Sequence, residues 1–290
     1  YIKPVAVGAI AFIVGVNLFG IRAGSIVQNI FTVLKLAAIA LLVVVGLVLA
    51  HGHLGLVLAT DTAHPVPSGA FLGALLPVRM TVIRLPNGDL LLHSPTQFTF
   101  RLKEALEAIG PIRHLVAPNT THWMFLRDWQ RACPQATTWA APGLRDRRQV
   151  QRSGLRLDRD LPDGSPPEWD GAITLLTVPG GLGFHEVGLF HPASSTLVLT
   201  DLVLNLEEPK VPALFRPVLR LFGSMAPEGM PPPYLRAAVK LRRQPAAEAA
   251  LRLLALRPER VIFAHGKWFE RDGTDRLRRS WRWLLGAQAA

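Results

Sequence analysis

Apolar residues are arranged in two different ways along this chain, and the change comes near Pro77. Before it they form long runs with almost no charge. Val5–Val16 is uncharged and mostly apolar, but its roughly 12 residues fall short of the roughly 20 that a hydrocarbon core requires. It reads as the end of a membrane span whose beginning lies before Tyr1. After a polar interval containing Asn17, Arg22, Ser25, Gln28 and Asn29, a second run from Ile30 to Ala50 is about 21 residues long and is expected to span.

From Met80 onward the pattern is that of a water-soluble α/β domain. Asn87-Gly88 separates two β-prone runs within Thr81–His93, a hairpin signal. Leu102, Ala105, Leu106 and Ile109 recur at helical spacing, and Gly110 is placed to end that helix. The alternation continues with a strand at His114–Ala117, a helix around Trp123–Ala132 and a strand at Thr137–Ala140. A loop rich in Arg, Asp and Pro follows to about Asp170, then strands at Ile173–Val178, Glu186–His191 and Thr196–Leu199. An apolar, Pro-rich insertion from about Asn205 to Lys240 reads either as packing against the domain or as a lid or interfacial segment. A helix at Ala246–Leu256, a strand at Arg260–Ala264 and a basic amphipathic helix over about Asp272–Leu285 complete the order, with no internal repeat. Strand pairs and helices in this order predict a layered α/β sandwich.

Charge sharpens the division. Lys3, Arg22, Lys35 and Asp61 are the only formal charges before Arg79, so the net charge of +11 belongs almost wholly to the second part. Its arginines are scattered rather than massed in one block, which argues against nucleic acid as a partner. Cys133 is the single cysteine, which excludes an intrachain disulfide framework and a Cys-rich metal site; a buried inert thiol is expected.

The stretch Asn17-Leu-Phe-Gly-Ile-Arg-Ala-Gly-Ser-Ile-Val-Gln-Asn-Ile-Phe-Thr-Val-Leu-Lys35-Leu resembles the junction of the fourth and fifth helices in amino-acid permeases of the amino acid/polyamine/organocation superfamily. Phe71-Leu-Gly-Ala-Leu-Leu-Pro-Val78 resembles the start of that family's sixth helix. The resemblance implies a truncated all-α transmembrane fragment over residues 1–78, a membrane location for the chain, and an ion-coupling role for Lys35. Transport by this chain alone is not expected, because such carriers build their substrate site between inverted repeats. Val78-Arg79 carries none of the flexible polar residues of a linker, so the junction reads as a gene-fusion scar.

In the second part the chemistry lies at strand ends. His122 follows the strand at His114–Ala117, Asp201 follows Thr196–Leu199, and His265 follows Arg260–Ala264. Two imidazoles and a carboxylate suit zinc, iron or manganese, and three protein ligands leave a coordination position open for water. Nine histidines allow many such triplets, so spacing alone leaves satisfied core or surface histidines as the alternative.

Leu92-His-Ser-Pro95, Ala117-Pro-Asn-Thr-Thr-His122, Ser195-Thr-Leu-Val-Leu-Thr-Asp201 and Phe263-Ala-His-Gly266 resemble the metallo-β-lactamase superfamily, and more closely a domain family of unknown function at its edge. The resemblance implies an αββα sandwich over residues 79–290, which alone would be soluble. It also implies metal ligands at His122, Asp201 and His265. Ala117, Asn119 and Thr121 stand where the superfamily's first two histidines and aspartate belong, and Pro179-Gly180-Gly181 replaces its third histidine segment. The expectation is therefore one metal position, with Glu186 or His185 as an additional ligand or proton-transfer group. The functional readings are a metal-dependent hydrolase acting on a small molecule of unknown identity, an amino-acid permease named through its N-terminal fragment, or a non-catalytic binding domain that holds no metal.

Overall fold

The computed structural model describes residues 57–65, 75–227 and 229–286. The expected span Ile30–Ala50, the shorter apolar run Val5–Val16 and Lys35 lie outside the described residues. Among the described residues no helix is long and apolar enough to cross a membrane.

The first sheet has six strands in the order β1 to β6: Val57–Pro65, Leu75–Arg84, Leu90–His93, Ile112–Ala117, Thr137–Ala140 and Arg159–Asp160. The pairs β1/β2 and β2/β3 are antiparallel, and β3 to β6 run parallel. The β2/β3 hairpin forms where Asn87-Gly88 predicts it, with Gly88 at φ +90° and its N–H donating to the Leu85 carbonyl at 2.9 Å. The helical start expected at Phe71–Val78 is corrected over its last four residues. Leu75–Val78 pairs with Thr62–Pro65 and runs directly into the hairpin strand. A short apolar run carries no period by which helix and strand can be told apart, and here a ladder partner decides it.

The second sheet has the order β11-β9-β8-β7, from Arg260–Ile262, Thr196–Val198, His185–His191 and Thr174–Pro179. A separate parallel pair joins β10, Leu204–Asn205, to β12, His265–Gly266. The strand expected at Arg260–Ala264 thus stops at Ile262, and the chain changes partner at His265. Gly266 makes this close approach feasible: it has φ +88°, and a Cβ there would meet the Asn205 carbonyl oxygen at 2.1 Å.

Alternation along the strands builds the layers. Ile83, Leu91, Val116 and Trp139 of the first sheet meet Leu175, Val187, Leu189 and Val198 of the second in a common core. Their sequence neighbours Val82, Leu92, Leu115 and Ala117 face the other way. They pack with Leu106 of α1 (Phe100–Glu107) and with Leu126 and Trp129 of α2 (Leu126–Ala132). Thr99 caps α1, its hydroxyl accepting the Leu102 N–H at 3.1 Å. On the outer face of the second sheet, Leu176, Val178 and Leu199 pack with three helices, α5 (Pro233–Lys240), α6 (Arg243–Ala255) and α7 (Gly273–Ser280), and with α8 (Arg282–Leu285). The result is helix, sheet, sheet, helix, as expected. Each fully buried Leu or Phe contributes about 1.5–3 kcal/mol to holding the layers together.

The loop expected between Ala141 and Asp170 contains one short helix, α3 (Arg148–Ser153), besides β6. In the Asn205–Lys240 insertion, Leu206, Val211 and Leu219 form a small core with Leu204 of β10, and α4 lies at Arg216–Leu221. The basic terminal helix breaks at Trp281 into α7 and α8. Leu277, Trp281, Leu284 and Leu285 are buried, and the Trp281 Nε1–H donates to the Leu202 carbonyl at 2.9 Å. The apolar face of that amphipathic helix docks on the core of the second sheet.

Candidate metal centre

The strand ends at Ala117, Val198 and Ile262 open onto one place. Parallel pairing of β9 with β11 puts their C-terminal ends side by side. An isolated bridge between Asn119 and Glu186, with the Val187 N–H donating to the Pro118 carbonyl at 2.8 Å, brings the end of β4 across from the first sheet to β8. His122, Asp201 and His265 each offer a ligand atom there, all within 4.8 Å of one another. These are the three residues singled out from the sequence.

The cluster centres on one oxygen. Asp201 Oδ1 lies 3.1 Å from His122 Nε2 and 3.0 Å from His265 Nε2. The second oxygen, Oδ2, accepts the Asn119 Nδ2–H at 2.7 Å and the Thr121 hydroxyl at 2.8 Å. His122 Nδ1 is 2.6 Å from Ser94 Oγ. The cluster is not sealed: the side chains of His122 and Asp201 remain 11% and 17% exposed, whereas His265 is nearly covered at 8%.

The loops carrying these side chains are built by polar groups that take up backbone amides. Asn119 Oδ1 accepts the N–H groups of Thr121 and His122, each at 2.8 Å, which turns the chain so that His122 points back toward the strand end. Glu186 does the same for the Asp201 loop. Its Oε1 accepts the Thr200 N–H at 2.7 Å, its Oε2 accepts that of Asp201 at 2.8 Å, and the residue is wholly buried. Asn119 Nδ2 also lies 3.3 Å from Glu186 Oε2 and 3.0 Å from Thr200 Oγ1, so one amide group links both carboxylates.

The electrostatics follow from this packing. For Asp201, burial works to raise the pKa, but the charge and hydrogen bond of His122 and the hydrogen bond of His265 hold it well below the usual carboxylate range. For His122, burial opposes the charged form and Asp201 outweighs it, so the imidazole is raised. Glu186 is pushed up by burial and then by the charge of Asp201, against the lowering effect of its amide donors. His93, fully buried on β3, is lowered to about 3 by burial and by the charge of His122.

Glu186 and His185, expected as additional ligands or proton-transfer groups, are not in the cluster. Glu186 has both oxygens committed to the protein and no exposure, which makes it a brace for the Asp201 loop. His185 is half-buried, and its Nδ1 is enclosed without a hydrogen-bond partner, 3.5 Å from where a Cβ on Gly143 would sit. The phenol of Tyr234, at the start of α5 in the insertion, is largely exposed, and its pKa is raised by desolvation and by the charge of Asp201.

The donor set fits one divalent ion. Two imidazole nitrogens face one carboxylate oxygen, and the other carboxylate oxygen is held by neutral donors. Among the described residues it is the one group of three or more His, Cys, Asp or Glu side chains that could hold an ion.

Residues 68–226 match the family model described as a domain of unknown function, DUF4336, and the match takes in Ser68–Val78. No curated protein matches the sequence. Among solved structures, a metallo-beta-lactamase from Pontibacter korlensis aligns over 78% of this chain and 100% of its own, at 13% identity and a TM-score of 0.51. The metallo beta lactamase from Hirschia baltica aligns over 79% and 93%, at 17% identity and a TM-score of 0.50. VMB-1 aligns over 81% and 94%, at 14% identity and a TM-score of 0.53. At such identities the likeness establishes the fold, a metallo-β-lactamase-like sandwich. None of these matches supports the permease resemblance of residues 1–78.

Proposed function

The chain belongs to the DUF4336 family, and from that membership and the His122–Asp201–His265 cluster we propose that it is a divergent, metal-dependent hydrolase with a single metal position. The observation that carries the reading is the convergence of His122 Nε2 and His265 Nε2 on Asp201 Oδ1, at the mouth of three strand ends. The neighbouring metallo-β-lactamase structures support it as relatives in fold.

His122, Asp201 and His265 would hold the ion, and zinc, iron and manganese all suit two imidazoles and a carboxylate. When bound, such an ion supplies Lewis acidity and lowers the pKa of a coordinated water, the chemistry of ester, amide or phosphoryl hydrolysis. The chain's own residues prepare the place. Asn119 and Thr121 hold Oδ2 and so turn Oδ1 toward the imidazoles. Glu186 fixes the amides of Thr200 and Asp201, keeping the carboxylate at the end of β9. A small substrate would reach the ion past His122 and Asp201, whose side chains remain partly exposed.

For the stretch 17–36, which carries the permease resemblance, we keep a fragment's origin as a proposal, with membrane association as its consequence; continuous sequencing reads across the codons between that stretch and Arg79 test it.

The test of the hydrolase reading is metal content. After reconstitution with zinc, iron or manganese and removal of excess, about one equivalent is expected to stay with the protein and to be lost in Asp201→Asn. Retention of less than about a tenth of an equivalent of every metal would overturn the metal reading and leave a non-catalytic binding domain.

A further inference from the structure

Both imidazoles of the cluster are held from the same structural element, the open end of the β2/β3 hairpin. Thr81 of β2 pairs with His93 of β3, so Arg79 and Ser94, just beyond that pair, lie at one end of the hairpin. Ser94 Oγ sits 2.6 Å from His122 Nδ1. Arg79 grips the loop that carries His265 at three points. Its N–H donates to the Ala264 carbonyl at 2.8 Å, and Nη1 donates to the carbonyls of Phe263 and Gly266, each at 2.9 Å.

Neither residue is placed as a surface group. Ser94 is 2% exposed and Arg79 is 7% exposed. Ser94 also has φ +54°, a left-handed backbone that a serine rarely adopts, and its N–H is tied to the Val116 carbonyl at 3.0 Å. Strained backbone persists where its surroundings over-determine it, typically around functional groups. Here the left-handed turn directs the hydroxyl onto a ring nitrogen of His122. Arg79 has a different task. One guanidinium nitrogen, Nη1, reaches carbonyls on either side of His265, so the loop is held from both flanks of the ring.

We propose that Ser94 and Arg79 are the positioning residues of the histidine pair. Ser94 fixes which nitrogen of His122 faces Asp201, and Arg79 fixes the loop from which His265 reaches the same oxygen. The idea rests on the metal-centre reading for its functional meaning, but the geometry it describes exists with or without an ion. Groups that orient a ligating imidazole typically change metal affinity about 10–100-fold when removed. The hairpin is thus the part of the first sheet that tunes a centre whose ligands come from three other strand ends.

The experiment compares the full chain with Ser94→Ala, Arg79→Lys and Arg79→Met, reading the imidazole nitrogen resonances of His122 and His265 by NMR, without metal and with zinc. In metal-free protein, Ser94→Ala is expected to shift the His122 ring nitrogens or split them into two ring orientations, leaving His265 in place. The Arg79 variants are expected to shift His265 and spare His122. With zinc, each variant is expected to bind about tenfold or more weakly. A general loosening of the fold would move both rings together, and thermal melts of the same samples register it. Unchanged His122 resonances in Ser94→Ala, or unchanged His265 resonances in both Arg79 variants, would overturn the proposal. A wild-type chain that takes up no zinc would instead sink the metal reading, while the metal-free spectra still decide the roles of Ser94 and Arg79.

Discussion

Glu186 accepts the backbone N–H of Asp201 at 2.8 Å, so a wholly buried carboxylate carries the loop that presents a partly exposed one. The two lie close enough for each to influence the other's ionisation, and they have opposite shifts: Glu186 is raised and Asp201 is held low. Replacing Glu186 by Ala removes the acceptor for the Thr200 and Asp201 amides and leaves both buried. A loss of about 2–4 kcal/mol is expected, read as a lower urea midpoint, together with loss of metal binding as the Asp201 loop relaxes.

Metal addition should stabilise the protein in a way that depends on the cluster. A ligand that binds only the folded state, at a hundred times its dissociation constant, adds about 2.7 kcal/mol. Zinc is expected to raise the melting temperature of the wild type and to leave that of Asp201→Asn unmoved. Differential scanning with and without chelator checks this.

Acid should destabilise the metal-free protein through His93. The unfolded chain takes up a proton near pH 6.5, whereas burial holds the folded His93 at about 3. Between those values the unfolded state binds more protons, so stability is highest above pH 6.5 and falls as pH drops toward 3, by on the order of 4–5 kcal/mol. His114 and His191, also lowered by burial, act in the same direction, whereas His122, raised beside Asp201, opposes them. The depressed Asp201 adds its own loss only below about pH 3.8, where the unfolded aspartate protonates. Urea midpoints from pH 7 to 4 in wild type and His93→Leu isolate the contribution, with a flatter profile expected for the variant.

Gly266→Ala should strike the site through the backbone. The added methyl would sit 2.1 Å from the Asn205 carbonyl oxygen, and φ is +88°. The β10/β12 pair must open to accommodate it, at an expected cost of about 2–4 kcal/mol, with the His265 resonances displaced. A variant that folds with wild-type stability would contradict the close approach.

Trp281→Phe removes the indole donor to the Leu202 carbonyl, one residue past Asp201. A destabilisation of about 1–3 kcal/mol is expected from the unpaired buried carbonyl and the lost volume. Chemical denaturation measures it.

Local chemistry and apolar period determined much of this protein from the sequence alone. Asn87-Gly88 turns the hairpin, the spacing of Leu102 and Leu106 makes α1, and strict alternation sends Ile83 and Val82 to opposite layers. The strand ends that carry His122, Asp201 and His265 were legible too, but spacing left that triplet one of many, and the family resemblance singled it out.

What lay beyond the sequence depended on partners distant along the chain. Leu75–Val78 is strand because Thr62–Pro65 pairs with it, and an apolar run by itself carries no such information. Glu186 braces the Asp201 loop because the amides of Thr200 and Asp201 close over both its oxygens. Ser94 and Arg79 gained their places at the histidines only when the hairpin's open end met loops that follow β4 and β11. Periodicity reports which face a side chain takes. Which atoms meet across that face is decided by the packing of one sheet upon the other.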